Sequence, residues 1–130
     1  MSGRVADRTW TATISGWYPK TSLYSLNARQ HWGSRKRLQD DAADRTGKAL
    51  QCAYWPCVWT VDGSRWAVTL TVRQKLGRCP DGDNLQGSLK HVRDCVAKYM
   101  GVDDGDPGIE WRYRWQRGPD AVTLELEEAI

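Results

Sequence analysis

The stretch Trp66-Ala-Val-Thr-Leu-Thr-Val72 alternates strongly in side-chain character and is the clearest strand in the chain. After a short loop, Leu76 to Gly82, the period changes. Leu85, Leu89, Val92, Val96 and Tyr99 fall on one stripe of a helix running from about Asn84 to Met100. Asp83 or Asn84 is the expected N-cap and Gly101 the expected C-terminal glycine. A strand leading through a short loop into an amphipathic helix points to a sheet with helices laid against it.

The flanking segments extend this pattern. Thr9 to Ile14 alternates and reads as a strand, and Gly16 to Leu26 reads as a loop. Ser34 to Tyr54 has helical spacing at Leu38, Ala42, Ala49, Leu50 and Ala53, with Ser34 as its cap, Gly47 as a weak point and Pro56 as its stop. Asp62-Gly63 is a hairpin-turn signal within the β-rich run from Trp55 to Lys75. Asp103 to Gly108 is turn-rich. Ile109 to Gln116 and Ala121 to Glu127 read as a closing hairpin turned at Gly118-Pro119-Asp120. The expected order is β-α-β(β)-α-β-β, a small α+β (α/β-like) domain with two helices on one mixed sheet. At 130 residues one domain spans the chain, and roughly two-thirds of its unfolded surface can be buried.

Composition narrows the function classes. No apolar run approaches the ~18 residues needed to cross a bilayer, so no membrane partner is expected. Met1 to Arg8 lacks a signal-peptide apolar segment, which points to a cytoplasmic protein. Cys52, Cys57, Cys79 and Cys95 lack paired zinc spacing and read as reduced thiols. The eight Trp, with no Phe, can serve the core or stack on unpaired bases; packing is the simpler reading. Net charge is +3 but unevenly spread. Residues 1–50 carry nine Lys/Arg against four Asp (+5), residues 51–100 seven against four (+3), and residues 101–130 three against eight acids (−5). This asymmetry is compatible with a phosphodiester partner.

Three aspartates carry the chemistry: Asp81 and Asp83 in Asp81-Gly-Asp-Asn-Leu85, and Asp104 in Gly101-Val-Asp-Asp104. In an extended segment residues i and i+2 point the same way, so Asp81 and Asp83 can face one ion. A hard cation such as Mg²⁺ takes oxygen ligands and needs few protein carboxylates, leaving room for water and phosphate. A helix of about 17 residues is roughly 25 Å long. Asp104 therefore joins the pair only if the following loop folds back or a second subunit supplies it. Calcium-loop spacing is absent, because glycine at position six and glutamate at position twelve are missing. Turn and capping chemistry is the competing reading of both aspartate segments. With a basic chain around them, the acids suggest a small metal-dependent nuclease.

The combination of Asp81-Gly-Asp-Asn-Leu85, Lys90-His-Val-Arg-Asp94 and Gly101-Val-Asp-Asp104 resembles the RusA-type Holliday-junction resolvases, especially their phage and prophage relatives. Those proteins carry Asp-x-Asp-Asn-Leu, a lysine, an Asp four residues after it, and an Asp-Asp pair beyond the helix. Leu26 to Trp32 resembles their Asn-rich segment, and the likeness runs from about residue 10 to 126. The resemblance implies that Asp81, Asp83 and Asp104 bind the metal, Mg²⁺ or its substitute Mn²⁺. It also implies that Lys90 stands near the scissile phosphate and that the protein is a homodimer. Lys90 lies three residues beyond the family position, which Gly87 holds here, a shift of nearly one helical turn. Asn27, Arg29, His31, Arg35, Arg37 and Arg78 are the candidate phosphate contacts. The expected activity is resolution of four-way DNA junctions by paired nicks, with branched DNA as partner and no small-molecule cofactor. The alternatives are a nuclease for other branched DNA and a non-catalytic, Trp-rich nucleic-acid-binding module.

Overall fold

The computed structural model describes residues 9–24, 32–56 and 65–129. The elements run β1 (Thr9–Ser15), α1 (Thr21–Tyr24), α2 (Trp32–Cys52), β2 (Arg65–Gln74), α3 (Gly82–Ser88), α4 (Lys90–Met100), β3 (Ile109–Arg117) and β4 (Ala121–Ala129). This is the expected mixed α+β architecture. The strands form one sheet in the order β1-β4-β2-β3. No described helix is long and apolar enough to cross a membrane. The Asp62-Gly63 turn and any strand before it lie outside the described residues.

Burial explains the strand order. Trp66 to Val72 is buried at every position, on both faces of the sheet, so β2 needs a neighbour on each side. β4 is nearly as buried, with Val122, Leu124 and Leu126 at 0% exposure. β3 is mostly half-exposed and takes the edge. The closing hairpin expected between β3 and β4 is therefore not formed. β4 pairs antiparallel with β1 and β2, whereas β3 pairs parallel with β2. The turn at Gly118–Asp120 arches over the end of β2. Four Cα steps reach ~13 Å, enough for two strand spacings of about 4.8 Å. Gly118 N–H donates to Gln74 O at 3.3 Å, and Lys75 N–H donates to the Asp120 carboxylate at 2.9 Å. These bonds tie the arch to the strand it crosses.

The main core lies on one face of the sheet. Trp66, Val68, Leu70 and Val72 of β2 meet Leu85, Leu89, Val92, Val96 and Met100 of the α3–α4 segment. Removing one such buried Leu costs about 2–5 kcal/mol in comparable cores. Trp55 and Trp66 belong to this core, and Trp10, Trp17, Trp111 and Trp115 pack against it. Packing accounts for every Trp whose side chain is described. α2 starts at Trp32, so Ser34 sits inside its first turn rather than capping it. α1 is a single helical turn within the segment expected to be a loop.

The expected helix from Asn84 to Met100 is two helices with a joint at Leu89. Ser88 Oγ donates to Leu85 O at 2.8 Å, competing for main-chain acceptors. Leu89 has φ −93° and ψ 4°, off helical values, and its N–H is shared between Leu85 O and Gln86 O. Arg93 N–H still reaches Leu89 O at 2.8 Å, so the joint bends the path without separating the helices. Gly101, at φ +79°, ends α4 in the left-handed conformation.

Candidate functional site

Asp81 has extended backbone and caps α3: its Oδ1 accepts from Asn84 N–H at 3.0 Å. Asp83 lies in the first helical turn, where its negative charge suits the helix N-terminus. The extended i, i+2 geometry expected for this pair is thus replaced by cap and first turn. Asp83, not Asp81, faces the hollow described next.

That hollow, of about 390 Å³, is walled by Asp83, Gln86, Gly87, Lys90, Arg93, Asp104 and Tyr113. Positions 83, 86, 87, 90 and 93 recur at helical spacing, so the path through α3 and α4 presents them along one side. Leu85, Leu89, Val92 and Val96 lie on the other side, in the core. Asp104 joins from beyond α4 because the loop after Gly101 folds back within one chain.

Arg93 organises that return. Its Nη2 donates to Asp104 O at 2.8 Å, and Trp111 Nε1 donates to the same oxygen at 3.0 Å. Its Nη1 donates to Tyr113 Oη at 2.8 Å, and its guanidinium lies over the Trp111 ring at 4.7 Å. Its Nε stands 3.7 Å from Asp104 Oδ2. The planar fork of Arg suits this multiple engagement, which Lys cannot reproduce. Asp103 Oδ1 accepts from Gly105 N–H and Asp106 Oδ1 from Gly108 N–H, closing two small turns in the loop.

Lys90 lines the hollow and is 3.3 Å from Asp94, four residues on. Both side chains are about half exposed, so the pair contributes only a few tenths of a kcal/mol. His91, the next residue, is half-buried with no partner for Nδ1 among the described residues, and burial pushes its pKa down. Asp94 opposes that shift and Lys90 reinforces it.

Asp83, Lys90 and Asp104 therefore meet at one hollow, and Asp81 stands outside its walls. Among the described residues, no three His, Cys, Asp or Glu side chains gather closely enough to hold a metal ion. Two carboxylates remain a suitable donor set for a hard cation that keeps several waters. Of the candidate phosphate contacts, Arg35 and Arg37 lie on α2 and Arg78 lines a separate hollow. Asn27, Arg29 and His31 lie outside the described residues. Sequence reasoning missed Gln86, Arg93 and Tyr113. The first two were signalled by their helical spacing from Asp83 and Lys90, but Tyr113 comes from a strand and carried no local signal.

No family model matches the chain, and no curated protein matches it.

Proposed function

We propose that the chain is a Mg²⁺-dependent endodeoxyribonuclease of the RusA type that resolves four-way DNA junctions by paired nicks. The observation that supports this is the hollow where Asp83, Lys90 and Asp104 come together from two ends of one helical segment. Asp83 and Asp104 would hold the ion, with Asp81 completing the ligand set if its cap to Asn84 is released. A bound divalent ion supplies an activated water and polarises a phosphoryl oxygen. Lys90 donates to the non-bridging oxygens as negative charge builds on them. Arg93 keeps Asp104 at the wall through its bond to the Asp104 main-chain oxygen. A two-fold homodimer would offer two such hollows to a junction of near two-fold symmetry. Phosphate contacts would give salt-dependent binding.

A second reading, a non-catalytic nucleic-acid-binding module, is favoured by the occupied state of the acids. Asp81 caps a helix and Asp104 pairs with Arg93. Incubating a mobile four-way junction, a flap and a duplex with the protein separates the two. The nuclease reading expects Mg²⁺- or Mn²⁺-dependent nicking of branched DNA. Junction binding unaffected by EDTA, with no nicking in either ion, supports the module instead. Nicking of flaps but not four-way junctions would reassign the substrate to other branched DNA.

A further inference from the structure

Tyr113 closes the hollow from β3. Its ring lies on the helix side of the sheet with Trp111 and Trp115, packed against the core, and its strand position pairs with the fully buried Leu70. Strand and core thus fix the ring, while its hydroxyl meets Arg93 at the wall. We propose that the Tyr113 hydroxyl donates a hydrogen bond to a non-bridging oxygen of a DNA phosphodiester bound in this hollow. The inference deepens the reading above by adding a phosphate ligand from the sheet. It rests on that reading for the DNA partner, and not on hydrolysis or on a metal ion.

The direction of one bond carries the argument. Arg93 Nη1 and Tyr113 Oη are 2.8 Å apart. A guanidinium has only donors and stays protonated, so the phenol oxygen must accept. The phenol proton then points away from Arg93. Among the described residues it has no acceptor. A hydroxyl whose oxygen already accepts from a cation is a stronger donor. An anionic oxygen is the partner that gains most from such a donor.

Arg93 lines the same hollow but is committed elsewhere. Its Nη2 donates to Asp104 O at 2.8 Å, its Nε stands 3.7 Å from Asp104 Oδ2, and its guanidinium covers the Trp111 ring at 4.7 Å. Its charge is offered to a ligand through the Tyr113 hydroxyl. The wall therefore divides by chemistry. Asp83 and Asp104 present acceptors, whereas Lys90 of α4 and Tyr113 of β3 present donors. A phosphodiester beside a hard cation calls for both kinds.

The test is an NMR titration with the dinucleotide dTpT in EDTA, which supplies one phosphodiester and no metal. Saturable amide shifts are expected at Gln86, Lys90 and Tyr113. Tyr113→Phe keeps the ring and should weaken dTpT binding about tenfold, the loss of one hydrogen bond to a charged group. That variant also deprives Arg93 of its acceptor, so the second probe is 3-fluorotyrosine at position 113. Fluorine makes the phenol a better donor and a poorer acceptor. At about pH 6, far below the ordinary tyrosine pKa, a phosphate ligand predicts tighter dTpT binding than in the parent. A hydroxyl that only anchors Arg93 predicts no gain, and that result overturns the inference. Equal dTpT affinity in the parent and in Tyr113→Phe overturns it too, as does a parent whose shifts are absent or centred away from the hollow. Failure of the parent to nick a four-way junction in Mg²⁺, with the dTpT results as expected, contradicts only the hydrolytic reading. Nicking by the parent with dTpT affinity indifferent to Tyr113 overturns only this contact.

Discussion

Arg93 donates a 2.8 Å hydrogen bond to the main-chain oxygen of Asp104, eleven residues further on, and stands 3.7 Å from its carboxylate. The contact fixes where the loop after α4 returns. Arg93→Ala should therefore lower stability by about 1.5–3 kcal/mol, the range for hydrogen bonds to charged groups, measured by urea unfolding. Arg93→Lys should recover little, because an ammonium cannot serve Tyr113, Asp104 and the Trp111 ring together. A lysine variant as stable as the parent would contradict this account of the loop.

The two neighbouring aspartates should behave differently. Asp81→Ala removes the cap of α3 and should cost about 1 kcal/mol, whereas Asp81→Asn retains a good cap and should leave the unfolding midpoint unchanged. Asp83→Asn should abolish nicking with junction binding intact, while Asp81→Asn should lose less activity, since Asp81 is outside the hollow. Gel assays of nicked junction set against binding isotherms check both points.

Lys90 separates stability from chemistry. Its exposed pair with Asp94 predicts that Lys90→Ala changes unfolding free energy by no more than about 0.5 kcal/mol. Under the proposed mechanism its loss should slow nicking about a hundredfold. Single-turnover rates with saturating enzyme give the comparison.

His91 should make the fold acid-sensitive. Burial lowers its folded pKa below the ordinary value, so the unfolded chain binds more protons in the window between the two. Stability from this group is present above the unfolded pKa, ~6.5, and is lost as pH falls from there toward the folded pKa. His91→Gln should flatten the decline in stability below about pH 6.5 relative to the parent. Parallel curves for the two proteins would assign the decline to other groups.

Much of the fold was legible in the sequence. The alternation from Thr9 and from Trp66 marked β1 and β2, and the Leu85–Tyr99 stripe marked the second helical segment, because each turns a row of apolar side chains into the core. The partnership of β3 and β4 was not legible. A three-residue turn signals a hairpin locally, and only the two-sided burial of β2 places that strand between them. The joint at Leu89 was hidden because Ser88 is compatible with a helix until its hydroxyl takes a main-chain acceptor. At the site, the acids and Lys90 were readable as a motif. The return of Asp104 depends on contacts from Arg93 and Trp111, residues set apart by seven to eleven positions, which no local pattern encodes.

The central claim is that Asp83 and Asp104 share one divalent ion. The most direct measurement is Mn²⁺-induced line broadening in amide NMR spectra of the parent and of Asp83→Asn with Asp104→Asn. The account predicts broadening centred on Asp83 to Gly87, Lys90 and Asp104, and its disappearance in the double variant. Broadening centred elsewhere, or unchanged in that variant, would contradict it.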